Sequence, residues 1–186
     1  MNPSEIEDVE ASIDEVFCLF RRAPNVILTE DDFRFHLCNS LLPCFGSEER
    51  TEDGDRSVSL HTEVRWYGEG ELRLRSDIVL IDVSTLNVLR HSRLPSKGFG
   101  FNIPKGIIEL KLRRANGESN ASFLKAIDAD IAKLAKLKQV FDDAQGDDQT
   151  ACWLLILDKR CDLNAQIPAR DGIRIRYGGD RGLARV

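Results

Sequence analysis

Residues Ala151 to Leu157 read Ala-Cys-Trp-Leu-Leu-Ile-Leu, apolar at every position. A run of this kind is the mark of a strand buried on both faces, usually beside a parallel neighbour. The residues before it, 120–144, place Leu124, Ile127, Ile131, Leu134, Leu137 and Phe141 along one side of a long helix. A helix that feeds a doubly buried strand predicts a second strand upstream, joined through a right-handed crossover. That requirement restricts the chain to an α/β architecture.

The upstream strand is Gly106-Ile107-Ile108-Glu109-Leu110-Lys111-Leu112. Side chains alternate along a strand, so Glu109 and Lys111 leave from one face and Ile108, Leu110 and Leu112 from the other. A carboxylate and an ammonium on a stiff central element are an unusual pairing. Ser57 to Tyr67 also alternates, with Val58, Leu60, Val64 and Trp66 on one face and His61, Glu63 and Arg65 on the other. Gly68-Glu69-Gly70 turns the chain into Leu72 to Val83, completing an antiparallel hairpin. Within this second strand, Asp77 stands at the mouth of an apolar run; Asp82 is a rival acid near its far end. Gly172 to Tyr177 predicts a last, short edge strand.

Two helices precede the sheet. Residues 4–22 repeat Ile6, Val9, Ile13, Val16, Phe17 and Phe20 at helical spacing, with Ser4-x-x-Glu7 as a capping box, an acidic outer face open to solvent and Pro24 as the stop. Glu30 to Leu42 follows, capped by Thr29-x-x-Asp32, stapled by Leu28 on Phe33, and halted by Pro43. Residues 46–56 contain no apolar residue and predict a mobile loop. The expected fold is α/β, one domain over 1–186, with a mixed sheet and helices covering its faces.

Asp77 followed by Glu109-Leu110-Lys111 resembles the PD-(D/E)xK nuclease signature, with Ser76 rather than Pro before the Asp. The resemblance spans roughly residues 25–160. Its combination of two apolar strands, a long helix after the Lys and a buried strand is more specific than Glu-x-Lys alone. It implies a restriction-endonuclease-like three-layer α/β/α fold with a mixed central sheet. It also implies a Mg²⁺-dependent nuclease, with Mn²⁺ able to substitute, acting on DNA rather than RNA. Asp77 and Glu109, with the Leu110 carbonyl, would hold the metal, and Lys111 would serve the attacking water. An auxiliary acid would come from Glu30, whose position also suits a helix dipole, or from Glu63, which also suits a charge pair with Arg73 or Arg75. Many enzymes of this fold pair up, so a homodimer is one implied arrangement. A binding or assembly module on the same fold is the alternative.

Charge distribution bears on partners. The net charge is -5, yet residues 1–56 carry 14 acids against 5 bases, whereas 57–114 carry 10 bases against 6 acids. The positive excess falls on the segment with the candidate site, which fits a phosphate-backbone partner there and reads equally as a core sheet whose flanking loops drew more Arg. Arg90, Arg93, Lys97, Lys105 and Arg113 are the candidate nucleic-acid contacts, with Phe99 and Phe101 interleaved in the long connection 84–105. That connection reads equally as a surface flap whose Phe residues pack on the core. The five cysteines form no C-x-x-C pair and only three histidines occur, so no structural zinc is expected and the thiols read as reduced packing residues. No apolar stretch reaches membrane-spanning length. The acidic N-terminus has no apolar signal core, and cytoplasmic residence is the expectation. No Ser–His–Asp arrangement, phosphate-cradling Gly loop or H-E-x-x-H motif is present.

Overall fold

The structure is a computed structural model that describes residues 1–66, 74–87, 103–145, 150–161, 163 and 167–179. Helix α1, Pro3–Arg22, starts one residue earlier than the sequence pattern suggests. Its capping box is Asn2 with Glu5, not Ser4 with Glu7: Glu5 N donates to Asn2 Oδ1 at 2.9 Å and Asn2 N to Glu5 Oε2 at 2.8 Å. Pro3 takes the first helical position, where its missing N–H costs nothing. Helix α2, Glu30–Phe45, has the expected box at Thr29 and Asp32. Leu28 stays exposed while Phe33 is fully buried. Pro43 lies inside the last turn instead of ending the helix. The carbonyl it leaves without a donor is that of Asn39, an exposed position, and buried Phe45 anchors the turn beyond it.

Residues expected to form a loop contain a two-residue ribbon, β1 Glu49–Arg50 against β2 Arg56–Ser57. Polar residues suffice there because Thr51 N donates to the Asp55 carbonyl and the Thr51 hydroxyl to Asp53, around a positive-φ Gly54.

The main sheet comprises β3 Leu60–Arg65, β4 Arg75–Ile81, β5 Pro104–Arg113, β6 Ala151–Asp158 and β7 Ile173–Gly179, in that spatial order. The first two contacts are antiparallel and the last two parallel. Helix α3, Asn120–Gln145, carries the chain from β5 to β6. All eight residues of β6 are buried, which explains the unbroken apolar run. One core joins α1 and α2 to Ile78, Leu80, Ile108, Leu110, Leu112, Trp153 and Leu155; the other joins α3 to Val79, Ile81, Ile107, Cys152, Leu154 and Ile156. Helices thus cover both faces of a mixed sheet. Among the described residues no helix is long and apolar enough to cross a membrane.

Two expectations about polar surfaces change. The acids of α1 are not merely solvated. Glu5 pairs with Lys105 at 3.0 Å, and Glu10 with Arg176 at 2.5 Å, while Trp153 Nε1 donates to Glu10 at 2.7 Å. These contacts tie the helix to the sheet. Nor are all the thiols packing groups: Cys18 and Cys44 are exposed, and only Cys152 is fully buried.

At the carboxyl ends of the parallel strands, Arg113 and Asp158 form an ion pair inaccessible to water. Arg113 donates to Asp158 through Nε at 2.8 Å and Nη2 at 2.6 Å, and to Asn120 through Nη1 at 2.7 Å. The Tyr177 hydroxyl adds a bond to Asp158 at 2.7 Å, and Arg160 N another at 2.8 Å. A buried charge pair is tolerated only when satisfied in this way. Asp158→Ala leaves the Arg113 guanidinium uncompensated and should lower unfolding free energy by about 3–5 kcal/mol. Urea denaturation checks this, and a loss near that of an exposed pair would contradict it.

Candidate active site

The site forms where β4 and β5 part. Their ladder runs through Leu80↔Gly106, Val79↔Ile107 and Ile78↔Ile108 and records no pair beyond. The edge of β5 past Ile108 therefore presents backbone donors that β4 does not take. Carboxylates take them instead: Leu110 N donates to Asp77 Oδ2 at 2.9 Å and Leu112 N to Glu30 Oε1 at 3.2 Å. A buried N–H left unpaired is costly, so these bonds fix both acids in place.

Alternation also resets here. Ile78 and Leu80 face the α1/α2 core and Val79 and Ile81 the α3 core. Unbroken alternation would turn Ser76 toward α1/α2. Instead Ser76 Oγ accepts from Trp66 Nε1 at 2.9 Å, and Trp66 packs on Phe141 of α3. Asp77 meanwhile meets Arg34 of α2. On the facing strand Glu63 has φ 56, the left-handed region, which is strained for a residue with a side chain. Beyond it Val64 and Trp66 join the α3 core, whereas Leu60 packs on the α1/α2 core. The single-face set expected for Leu60, Val64 and Trp66 is thus divided by the twist at Glu63.

Glu109 and Lys111 share one face, as their spacing requires, and that face meets α3. Glu109 is 1% exposed. Its Oε2 accepts from Lys133 Nζ at 2.5 Å, and its Oε1, also buried, has no hydrogen-bond partner among the described residues. Lys133 also donates to the Arg75 carbonyl at 3.1 Å. Lys111 Nζ lies 2.9 Å from Asp130 Oδ2, an ion pair rather than an aligned hydrogen bond, and 3.8 Å from Glu30. Asp130 in turn lies 3.5 Å from Lys133. Arg34 completes the group, with Asp31 at 2.6 Å, Glu63 at 2.7 Å and Asp77 at 2.9 Å; Arg75 holds the other oxygen of Glu63 at 2.5 Å.

Asp77, Glu109, Lys111, Glu30 and Glu63 therefore belong to one charged cluster. Both auxiliary candidates are in it: Glu30 on the β5 side beside Lys111, Glu63 on the β3 side behind Arg34. Sequence reasoning missed Arg34, Asp130 and Lys133. The available signal was a pair of polar residues, Asp130 and Lys133, flanking the apolar stripe of α3 at i, i+3.

The candidate nucleic-acid contacts fall elsewhere. Lys105 is paired with Glu5, and Arg113 is held inside the protein by Asp158, with Phe123 under its guanidinium at 5.1 Å. Burial makes Arg113 a structural residue and not a phosphate contact. Arg90, Arg93 and Lys97, with Phe99 and Phe101, lie outside the described residues.

The electrostatics follow from burial. Desolvation pushes Glu109 up to about 8; Lys133 opposes the shift, and Asp77 and Asp130 add to it. Burial also raises Glu30, against the pull of Lys111 and the Leu112 amide. For Lys111, burial lowers the pKa, but Asp130, Glu30 and Asp77 outweigh it and hold the group above its ordinary value. Lys111 is thus an ammonium at neutral pH. It can donate and can stabilise negative charge, and it does not act as a base.

Among the described residues no three His, Cys, Asp or Glu side chains form a ready-made metal-ligand group. A small hard cation does not need one: Mg²⁺ keeps several waters and takes one or two carboxylates. The orphaned, buried Oε1 of Glu109, with Asp77 near enough to repel its ionised form, fits such an ion. No family model, curated protein or solved structure matches the chain.

The raised Glu109 pKa has a definite consequence for stability. The folded state binds its proton more tightly than the unfolded chain does. The associated stability is fully present below pH 4.5 and is lost as pH rises toward about 8. In EDTA, the melting temperature should fall as pH rises from about 4.5 to about 8, and Glu109→Gln should flatten that slope. An identical slope in the variant would contradict the assignment.

Proposed function

We propose that this protein is a Mg²⁺-dependent nuclease of the PD-(D/E)xK type that hydrolyses phosphodiester bonds in DNA, on a restriction-endonuclease-like core. The observation that carries the reading is the parting of β4 from β5, where Asp77 takes the Leu110 amide and Glu109, on the same stretch of β5, keeps a buried carboxylate oxygen without a hydrogen-bond partner among the described residues. The strand arrangement supports it: two antiparallel contacts, a crossover helix, then parallel partners with helices on both faces. DNA as the substrate, and endonucleolytic action, rest on the resemblance of the Asp77 and Glu109-Leu110-Lys111 motif.

Asp77 and Glu109 are the carboxylates for the cation. The Leu110 carbonyl joins them, because in a strand it points to the same side as its N–H, which faces Asp77. When bound, the ion polarises a phosphoryl oxygen and makes a coordinated water more acidic. In the reaction the water oxygen bonds to phosphorus and the bond to the leaving ester oxygen breaks. The water gives up one proton and the leaving oxygen takes one. Lys111, kept cationic by Asp130, orients the water and stabilises charge developing at phosphorus. Glu30 steadies Lys111 from α2, and Lys133 aligns Glu109 from α3.

The second reading is a binding or assembly module without chemistry. One observation favours it: both acids already have cationic partners, Arg34 on Asp77 and Lys133 on Glu109. Such a module would show no saturable Mg²⁺ or Mn²⁺ site dependent on Asp77 and Glu109.

Plasmid and single-stranded DNA should be cut in Mn²⁺ by the parent protein. Lys111→Ala and Asp77→Ala should each reduce the rate by roughly 10²-fold or more, with both variants shown by circular dichroism to be folded at the assay temperature. Variants that cut as fast as the parent would overturn the assignment. Absence of both cleavage and metal binding in the parent would select the second reading.

A further inference from the structure

The nuclease reading gives no task to Arg34, yet this side chain makes the largest number of ionic contacts in the site. Its guanidinium reaches three carboxylates from three places in the chain: Asp31 on α2, Glu63 on β3 and Asp77 on β4. One nitrogen, Nη2, serves both Glu63 at 2.7 Å and Asp77 at 2.9 Å. A further donor, Nε, is buried without a hydrogen-bond partner among the described residues. The arrangement is not a closed structural pair like Arg113 with Asp158, in which both members are inaccessible. Asp31 is 85% exposed and Glu63 32%, so the cluster opens to solvent on the side where Arg34 sits.

We propose, building on the reading of Asp77 and Glu109 as a divalent-metal site, that Arg34 is the substrate-phosphate residue of this site, held on the acids until a divalent cation takes them. In the metal-free protein something must neutralise Asp77 and Glu63, which converge in a partly desolvated place, and Arg34 does so, with Asp31 holding its other nitrogen from the solvent side. A cation arriving at Asp77 supplies that neutralisation and repels the guanidinium, which lies against the same carboxylate. Rotation of the long Arg34 side chain then carries the fork away from Asp77 while it stays within reach of anything attached there. A phosphodiester brought to the metal is such a group. A planar guanidinium matches phosphate oxygens two at a time, a geometry that an ammonium lacks.

Opposite effects on two ligands separate this role from a structural one. Mn²⁺ affinity is measured by calorimetry on the whole chain. Binding of a fluorescent DNA duplex in Ca²⁺ is measured by anisotropy, for the parent, Arg34→Gln and Arg34→Lys. Removing the competing charge in Arg34→Gln should tighten Mn²⁺ roughly tenfold and weaken the duplex roughly tenfold. Arg34→Lys, which keeps the charge and loses the fork, should bind Mn²⁺ as the parent does and still bind the duplex more weakly. It also stands as the folded control if Arg34→Gln melts early. Weaker Mn²⁺ binding in Arg34→Gln, or unchanged duplex affinity in both variants, would overturn the proposal and leave Arg34 as an organiser of the acids. Asp77→Asn tests the underlying reading separately: if the parent binds no Mn²⁺, or Asp77→Asn binds it equally, the metal site itself falls, and the role of Arg34 with it.

Discussion

Backbone donors need acceptors, and that requirement shapes this molecule where β4 leaves β5. An N–H sealed from water without a partner costs as much as a lost hydrogen bond. The amides of Leu110 and Leu112 would pay that cost if the strands simply diverged. Asp77 and Glu30 answer them, one from the departing strand and one from the start of α2. These two acids are thus held by the main chain of β5 as well as by their cations, Arg34 on Asp77 and Lys111 beside Glu30.

Five carboxylates gathered in a partly desolvated space would repel one another beyond tolerance. Alternation of charge solves this. On one side Glu30, Lys111, Asp130, Lys133 and Glu109 form a chain of opposite signs; on the other Asp77, Arg34, Glu63 and Arg75 do the same. The contrast with Arg113 and Asp158 is informative. That pair has every described partner it needs and is sealed. Among the described residues the site keeps three buried polar atoms without a hydrogen-bond partner, Glu109 Oε1, Asp130 Oδ2 and Arg34 Nε. Unmet capacity of this kind is uncommon in buried polar groups.

Periodicity alone made most of the architecture legible. The solid run in β6 announced two buried faces, the stripe of α3 announced the crossover, and the spacing of Glu109 and Lys111 announced a shared face, whose contact with Asp130 and Lys133 of α3 the structure supplies. What stayed hidden depended on departures from periodicity. The positive φ at Glu63 and the reset at Asp77 reverse which face a residue takes, and nothing local in Thr62-Glu63-Val64 signals the reversal. Asp130 and Lys133 look like the solvated flank of any amphipathic helix until the sheet is placed beneath them. Arg113 looked like a surface base because its partner, Asp158, lies 45 residues further along the chain. The capping box of α1 was displaced because Asn2 and Ser4 are both good caps, and Pro3 decides between them only once its position in the first turn is known.

The sulfur atoms divide the protein by reactivity. Burial pushes the Cys152 thiol in β6 up to about 12 and the Cys38 thiol of α2 up to about 11, so both stay protonated at neutral pH and make poor nucleophiles. Cys161 donates its thiol hydrogen to the Asp158 carbonyl at 3.3 Å. Cys18 on α1 and Cys44 on α2 face solvent. Alkylating dyes and mild oxidants therefore find their first targets on the two helices that cover one face of the sheet. The opposite face, with α3, has no exposed thiol among the described residues. The natural sequence thus carries a ready pair of attachment points, one on each of two packed helices, outside the charged cluster and clear of the core.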